Sequence, residues 1–228
     1  MAGRRVMQMQ RFRSAVVAWA AGGADAPAAA DAARAMDIRG LRTVVLVEGV
    51  SDRVALDTLA ARRNRDLDAD GVCVLPMGGA MSIGRFLTVL GPQGLGVGLA
   101  GLCDLREERY FRRGLERAGL GRDLTRGAME ALGFGVCVVD LEDELIRALG
   151  TEGVEQVVAG QGDLRRLRSF QNQPAQRERT AEQQLRRFMG TLSGRKERYA
   201  RALVSALDPR IVPEPLDRLF AVMCPQDA

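Results

Sequence analysis

Residues 44–52, with the sequence VVLVEGVSD, decide the fold and point to its functional edge. Four apolar residues, three of them valine, run into Glu48 and Gly49, and Asp52 follows four positions after the glutamate. A short, wholly apolar run rich in β-branched residues is typical of a strand buried on both faces of a sheet. In such sheets ligands bind at the carboxyl ends of the strands, so this strand is predicted to place a carboxylate at the rim of a binding crevice.

The same pattern recurs along the chain, with helical sequences between the apolar runs. The helix after the first strand is expected to begin at Ser51 as its N-cap, and later helices are expected to end at Gly91 and Gly150. The predicted strands are TVVLVEG, GVCVLPMGG, GVGLAGLCD and FGVCVVD, at residues 43–49, 71–79, 96–104 and 134–140. This alternation predicts an α/β fold: a Rossmann-like parallel sheet of about four strands with helices on both faces.

Composition divides the chain into three predicted segments. Residues 1–41 form an N-terminal helical segment with an Ala-rich linker, residues 42–150 form the α/β domain, and residues 151–228 form an Arg-rich helical extension that carries Lys196. A net charge of +4 and a pI near 9.2 favour anionic partners only weakly. No apolar run approaches membrane-spanning length, so no membrane partner is expected.

Three features of the composition limit the kinds of catalytic and metal site that this chain can form. The chain contains no histidine, which excludes Ser-His-Asp and Cys-His catalysis and nearly every familiar zinc site. Lys196 is the only lysine among 33 basic residues, so either it does something that a guanidinium cannot or it persists by chance on the surface. The four cysteines show no CxxC spacing and read as small core residues of a protein in the reducing cytoplasm.

Acidic residues gather where the predicted strands end. Several carboxylates at one rim repel one another unless a cation lies among them, and oxygen ligands without His or Cys favour Mg²⁺ or Mn²⁺. Two such ions are the usual arrangement for attack on a phosphodiester. The alternative is that acids at helix N-termini only offset the helix dipole. The acids concerned are Glu48, Asp52, Asp104, Glu107, Glu108, Asp140, Glu142, Asp143 and Glu144.

A glycine pair, Gly78 and Gly79, follows the second strand and is a candidate phosphate-binding turn. As a nucleotide motif it is weak, because the GxxxxGK[ST] pattern is absent and Lys196 is the only lysine. The Gly-rich sequence GPQGLGVGLAG precedes a strand, whereas a dinucleotide fingerprint follows one, so that class of site is excluded.

Taken together, these residues resemble the Toprim domain of the OLD-family (overcoming lysogenization defect) endonucleases. The resemblance covers about residues 42–207 and rests on VEGVSD, PMGGAMSIGRFL, VVDLEDELIRALG and GRKERYARAL. It implies that Glu48, Asp52 and Asp104 hold one metal ion and that Glu142 helps to hold a second. It also implies that Lys196 stabilises charge on the phosphate or on the attacking water.

Two departures from that family pattern affect the expectation. The Asp-x-Asp of the third strand is here Asp104-Leu105-Arg106, so either Glu107 or Glu108 substitutes for the second acid or one metal site is lost. OLD-family nucleases also carry an N-terminal ATPase domain. Because no such domain is recognised in this sequence, the expectation is a free-standing Toprim protein that acts alone, as a homodimer, or with a separate ATPase subunit.

The leading hypothesis is a Mg²⁺- or Mn²⁺-dependent nuclease that cleaves or nicks DNA, or RNA, with Glu48, Asp104 and Lys196 as catalytic residues. A solvated helical face is the alternative interpretation of the Arg-rich segment. A non-catalytic Toprim module that binds nucleic acid or a protein is the second hypothesis, and a nucleotidyl transferase or hydrolase is the third. The arginines expected to grip phosphates are Arg165, Arg166, Arg168, Arg186, Arg187, Arg195 and Arg198.

Overall fold

The structure is a computed structural model that describes residues 2–36, 38, 40–190 and 194–225. Four strands form one parallel sheet in the order β2-β1-β3-β4, which confirms the predicted α/β class and strand number. The strands are β1 (Thr43–Val47), β2 (Val72–Pro76), β3 (Gly98–Asp104) and β4 (Phe134–Cys137).

Eleven α-helices occur within the described residues, and among these none is both long and apolar enough to cross a membrane. The helices are α1 (Ala2–Ala21), α2 (Ala26–Ala35), α3 (Val50–Arg62), α4 (Ile83–Leu90), α5 (Glu108–Arg117), α6 (Arg126–Ala131), α7 (Leu141–Gly160), α8 (Leu164–Gln171), α9 (Ala181–Gly190), α10 (Arg195–Ala206) and α11 (Glu214–Met223).

Helices cover both faces of the sheet, as the apolar strands predict. Val44 and Leu46 of β1 pack with α1, α2, α4, α5 and α6, whereas Val45 and Val47 pack on the other face with α3 and with α7 to α11. All four side chains are fully buried. Each contributes roughly 1.5–3 kcal/mol relative to an exposed position, so a strand of this composition is stable only between two helical layers.

The helices that follow residue 150 are held to one another by a buried carboxylate. Asp163 accepts hydrogen bonds from Arg166 Nη1 at 2.8 Å and from the Tyr199 hydroxyl at 3.0 Å, and it also pairs with Arg198. Burial alone would raise the pKa of Asp163, but these hydrogen bonds lower it below its ordinary value. The network ties α8 to α10, the helix that carries Lys196.

A second contact fixes the other end of α10 against the sheet layer. Arg62, in the last turn of α3, donates to the carbonyl of Val204 at 2.6 Å and to that of Leu207 at 2.7 Å. The final carbonyls of a helix lack partners within it, so a guanidinium satisfies them and favours the negative end of the helix dipole. Both ends of α10 are therefore anchored, and the division into segments at residues 42 and 151 stays a prediction.

The N-terminal helix is attached at the β2 edge of the sheet. The buried Arg13 donates from Nε to the carbonyl of Val74 at 3.2 Å and pairs through Nη2 with Asp68 at 2.5 Å. The guanidinium thus satisfies a carbonyl that an edge strand leaves without a neighbouring strand.

One predicted helix boundary was wrong, and two were confirmed. Helix α3 begins at Val50 with Gly49 as N-cap, so Ser51 lies inside the helix. The first helical segment of α7 ends at Gly150 as predicted, because Gly150 is not helical, with φ 68° and ψ 164°. A second helical segment follows directly and ends at Gly160. Gly91 ends α4 as predicted. A glycine in the left-handed region interrupts a helix, and here apolar packing on both sides of Gly150 allows the helix to continue.

Gly101 in β3 is predicted to tolerate no side chain. A Cβ there would lie 2.8 Å from the carbonyl oxygen of Leu46 and 2.8 Å from the Phe134 ring. Gly101→Ala should lower the free energy of unfolding by about 1–3 kcal/mol in urea denaturation. Gly127→Ala in α6 is the matched control, because its Cβ would meet nothing within 4 Å. Equal stability of the two variants would contradict the packing of β1 against β3.

Candidate metal centre

Two carboxylates lie side by side where the central strands end. Glu48 follows β1 and Asp104 ends β3, and these strands are neighbours in the sheet. The backbone N–H of Asp104 donates to Glu48 Oε1 at 3.1 Å. The predicted meeting of these two side chains at one rim therefore follows directly from the strand order.

Asp52 joins them from the first turn of α3. Its Oδ2 accepts a hydrogen bond from the backbone N–H of Gly49 at 2.8 Å, and Gly49 is extended with φ −140°. The carboxylate thereby caps the turn between β1 and α3, which is a structural role of its own. Both Glu48 and Glu142 raise the pKa of Asp52, which places the three acids within electrostatic reach of one another.

Glu142 and Lys196 complete the group from the C-terminal half of the chain. Glu142 lies in the first turn of α7, and its Oε1 is 3.2 Å from Lys196 Nζ. Glu142 Oε1 is also buried, and apart from this ion pair it has no hydrogen-bond partner within the described residues. The single lysine of the chain therefore points into the acidic group.

These side chains line one cleft of about 540 Å³. The cleft contains six of the predicted site residues, whereas Glu107, Glu108 and Gly78 do not line it. The lining residues are Glu48, Gly49, Val50, Ser51, Asp52, Gly79, Asp104, Glu142, Gly190, Gly194, Lys196 and Glu197.

Burial and mutual repulsion disfavour the ionised form of these carboxylates. Burial, followed by the charges of Glu48 and Asp140, raises the pKa of Asp104 to about 8. Burial also raises the pKa of Asp52 to about 7, although the Gly49 hydrogen bond opposes this. The pKa of Glu48 is raised by burial and by Glu107, with the Asp104 N–H acting in the opposite direction. A bound cation would remove this penalty.

Lys196 remains a cation in this arrangement. Burial alone would lower its pKa, but the charges of Glu142, Asp140 and Asp52 outweigh burial and raise it above the ordinary value. The side chain is therefore suited to hold positive charge near an anion and not to take up a proton as a base.

The donor set fits a hard divalent cation. It offers only carboxylate oxygens, which Mg²⁺ and Mn²⁺ prefer, and it includes the unsatisfied Glu142 Oε1. Within the described residues, however, no three acidic or cysteine side chains already surround a common point at ligand distances. Binding of a metal ion would therefore require the carboxylates to rotate together, as their mutual repulsion in its absence predicts.

Glu107 and Glu108 occupy different environments. Glu108, the first residue of α5, is bound by Arg126, with Nη2 2.5 Å from Glu108 Oε2. Glu107 has no such partner in the described residues, and its charge contributes to the raised pKa of Glu48. Of the two, Glu107 is therefore the acid whose charge acts on a residue of the cleft, Glu48.

Backbone geometry accounts for the glycine pair after β2. Gly78 has φ 71° and Gly79 has φ 118°, both in the region that favours glycine. The N–H of Gly79 donates to the backbone carbonyl of Glu48 at 3.0 Å, so it is already occupied. The pair shapes the turn beside Glu48, and only Gly79 lines the cleft.

Most of the predicted nucleic-acid-binding arginines are engaged within the protein. Arg186 pairs with Asp140, the N-cap of α7, and its Nε lies 2.5 Å from Asp140 Oδ2. Arg168 forms a bidentate ion pair with Glu155. Arg166 and Arg198 pair with the buried Asp163 described above.

The remaining three arginines divide into one buried and two exposed side chains. Arg195 is buried, donates to the Phe188 carbonyl at 3.1 Å and stacks 4.4 Å from the Phe188 ring centre. It therefore serves the packing of α9 on α10. Arg165 and Arg187 are exposed and form no ion pair within the described residues.

Two features of the cleft were missed by sequence reasoning. Glu197 lines it from the position after Lys196, and this adjacency on α10 was a usable signal. The pairing of Asp140 with Arg186, beside the cleft, joins residues 46 positions apart, and no local pattern indicates it.

A second, more apolar cavity of about 400 Å³ lies beside β4, but its chemistry differs. Each of its acids forms an ion pair with an arginine: Glu144 with Arg147, and Glu130 and Glu214 with the shared Arg218. It therefore lacks the crowded carboxylates that a cation requires.

The raised pKa values predict a pH dependence for the metal-free protein. Between the ordinary aspartate pKa near 4 and about 8, the folded state holds protons that the unfolded chain releases, so stability falls as pH rises. Asp104→Asn should make this fall shallower. The check is urea unfolding with a chelator at pH 5 and pH 8. Asp31→Asn, at an exposed position of α2, should retain the wild-type slope, and an unchanged slope in Asp104→Asn would contradict the cluster.

Comparisons with known proteins concern the fold and the segment that carries Glu48, Asp52 and Asp104. Residues 41–105 match the family described as overcoming lysogenization defect protein-like, TOPRIM domain. A search of the curated proteins found no match. The matched segment runs from the residues before β1 to the end of β3. It therefore includes Glu48, Asp52 and Asp104 but not Glu142 or Lys196.

Solved structures extend the likeness to most of the chain. The C-terminal region of the Burkholderia pseudomallei OLD protein is similar with a TM-score of 0.63 and 22% identity, over 80% of this chain and 96% of that one. Two structures of the C-terminal region of the Xanthomonas campestris pv. campestris OLD protein also cover 80% of this chain. The first is 25% identical, with a TM-score of 0.63, and 92% of its own chain is covered. The second is 26% identical, with a TM-score of 0.58, and 96% of its own chain is covered. The chain therefore contains an OLD-like Toprim domain and has the fold of the C-terminal regions of OLD proteins.

Proposed function

We propose that the protein is a metal-dependent nuclease that hydrolyses phosphodiesters in the cleft at the ends of β1 and β3. The single observation that carries the proposal is the convergence of Glu48, Asp52, Asp104 and Glu142 on one cleft that also receives the only lysine. Carboxylates that repel one another and a nearby cationic side chain are the parts that phosphoryl chemistry with Mg²⁺ or Mn²⁺ requires.

Each residue has a distinct part in this proposal. Glu48, Asp104 and Asp52 would hold one ion, and Glu142 would contribute to a second. Bound Mg²⁺ would supply positive charge to the phosphate and lower the pKa of an attacking water. Lys196 holds a positive charge at the mouth of the same cleft and would balance charge that develops on the phosphate oxygens.

DNA is the proposed substrate, and RNA is tested beside it. The support is the net charge of +4 together with exposed arginines in the helical segment that borders the cleft, Arg165 and Arg187 among them. The likeness to OLD proteins is consistent with a nucleic-acid-related module, and it raises the further proposal that a separate ATPase subunit associates with this chain.

A non-catalytic Toprim module that binds nucleic acid or a partner is the second candidate. It is favoured by Arg106, which stands where the family pattern has a second acid, and by the lack of a preassembled ligand group within the described residues. Metal binding without cleavage of DNA or RNA would support this candidate.

The first test is nicking of supercoiled plasmid with Mg²⁺, with Mn²⁺ and with chelator. The wild-type protein should nick the plasmid only with metal. Glu48→Ala and Asp104→Ala should each lower the rate by about 100-fold or more, because each removes charge that holds the ion. Single-stranded RNA is assayed in parallel under the same conditions.

Glu214→Ala provides a matched control, since this exposed acid of α11 lies outside the cleft. It should retain the wild-type rate, and circular dichroism should show that all variants are folded. Full activity in both Glu48→Ala and Asp104→Ala would overturn the site. Absence of cleavage with either metal would favour the binding module or a requirement for the ATPase subunit.

Glu107 and Glu108 offer a matched pair within one turn of the chain. Glu107→Gln should reduce metal-dependent cleavage and raise the metal concentration needed for half-maximal activity, because its charge acts on Glu48. Glu108→Gln should leave both unchanged, since its carboxylate is already bound by Arg126. The opposite pattern would show that Glu108 is the compensating ligand.

A further inference from the structure

A groove between α7 and α10 continues the candidate cleft on the far side of α10. It has a volume of about 590 Å³ and shares two lining residues, Gly194 and Glu197, with the cleft. The two cavities therefore adjoin at the N-terminus of α10. The groove is lined by Val157, Gln161, Gly194, Glu197, Arg198, Arg201, Ala202 and Ser205.

The groove carries more positive than negative charge. Arg198, which lines the groove, shares the single carboxylate of Asp163 with Arg166, which does not line it, so these two arginines together keep one positive charge beside the groove. Arg201 is exposed and adds another, and no acid of the described residues forms an ion pair with it. Glu197 is the only acid among the lining residues. An anionic ligand therefore gains energy in the groove, most directly from Arg201.

The spacing between Lys196 and Arg201 is large enough for the two side chains to contact different phosphates of one nucleic-acid strand. At about 1.5 Å and about 100° per residue, the two positions are separated by roughly 7.5 Å along the helix axis and lie on different sides of α10. One strand of B-form DNA advances about 3.4 Å per phosphate. A strand that passes from the cleft into the groove would thus present to Arg201 a phosphate at least about two nucleotides from the one near Lys196.

The boundary between the cavities is open at Gly194. Gly194 is exposed, has φ 74°, and a Cβ built there would meet nothing within 4 Å. Arginine is well suited to the contact, because its planar guanidinium donates two parallel hydrogen bonds to phosphate oxygens.

We propose that the α7–α10 groove is a phosphate-binding extension of the cleft, with Arg201 as its principal contact to the nucleic-acid backbone. This inference rests on the proposed function, since it takes the cleft to be where the phosphodiester reacts. Arg201 is a substrate-positioning residue in this assignment and takes no part in the bond that breaks.

The experiment measures binding of a fluorescently labelled DNA duplex to Arg201→Gln in the Glu48→Ala background, over a series of salt concentrations. Loss of one phosphate contact should weaken binding about tenfold at roughly 0.1 M salt. The slope of log Kd against log salt should fall by about 1. Arg117→Gln, which removes an exposed arginine of α5 that lines neither cavity, is the matched control and should change neither value.

The outcomes separate this inference from the nuclease proposal. Binding and slope that are unchanged in Arg201→Gln, or altered equally in Arg117→Gln, overturn the groove even if the wild-type protein cleaves DNA. Weaker binding specific to Arg201→Gln supports the groove even if the wild-type protein cleaves nothing, in which case only the nuclease proposal fails. A parent protein that binds no duplex overturns the groove.

Discussion

The pairing of β1 with β3 is the constraint on which the rest of the structure depends. It is parallel, with Leu46 opposite Gly101, and it brings Glu48 and Asp104 to the same rim, where the Asp104 N–H bonds to Glu48 Oε1. Close contact of Gly101 with the Leu46 carbonyl and the Phe134 ring holds the strands in this register. A shift by one residue would turn the buried side chains to the opposite face, so apolar packing of the strands also fixes the position of the acids.

The energy gained in the core offsets a penalty at the rim. Raised pKa values for Glu48, Asp52 and Asp104 mean that folding brings together charges that the unfolded chain keeps in water. A protein tolerates this when the rest of the fold is stable enough and when a ligand can relieve the repulsion. Lys196 relieves part of it through Glu142, and a metal ion would relieve the remainder in exchange for protons. Metal affinity should accordingly rise with pH, which links occupancy of the cleft to the protonation of Asp104.

The sequence predicted best those features that depend on the pattern of apolar residues and on the residues at the ends of strands. The four strands and the two-sided helical cover follow from the apolar runs, and the meeting of Glu48 with Asp104 follows from the two runs that stop at these acids. The position of Lys196 did not follow from any local pattern, because it depends on Arg62 and Asp163 anchoring α10 over the sheet. The helix end at Gly150 followed from the glycine itself, but the second helical segment after it did not, since packing on both sides of the glycine decides whether a helix resumes.

The arginines show why composition is a poor guide to a binding surface. A pI near 9.2 and an Arg-rich C-terminal segment suggested a broad phosphate-binding face. In the structure Arg168 and Arg186 each neutralise an acid of the same chain, and Arg195 is buried beneath Phe188. Arg166 and Arg198 share the one carboxylate of Asp163, which removes most of their charge as well. Pairs of this kind contribute little to long-range attraction, because an anion approaching them meets no net charge. In the proposed function, attraction of a polyanion toward the cleft therefore depends on the few cations whose charge remains, among them Lys196 and Arg201 of α10.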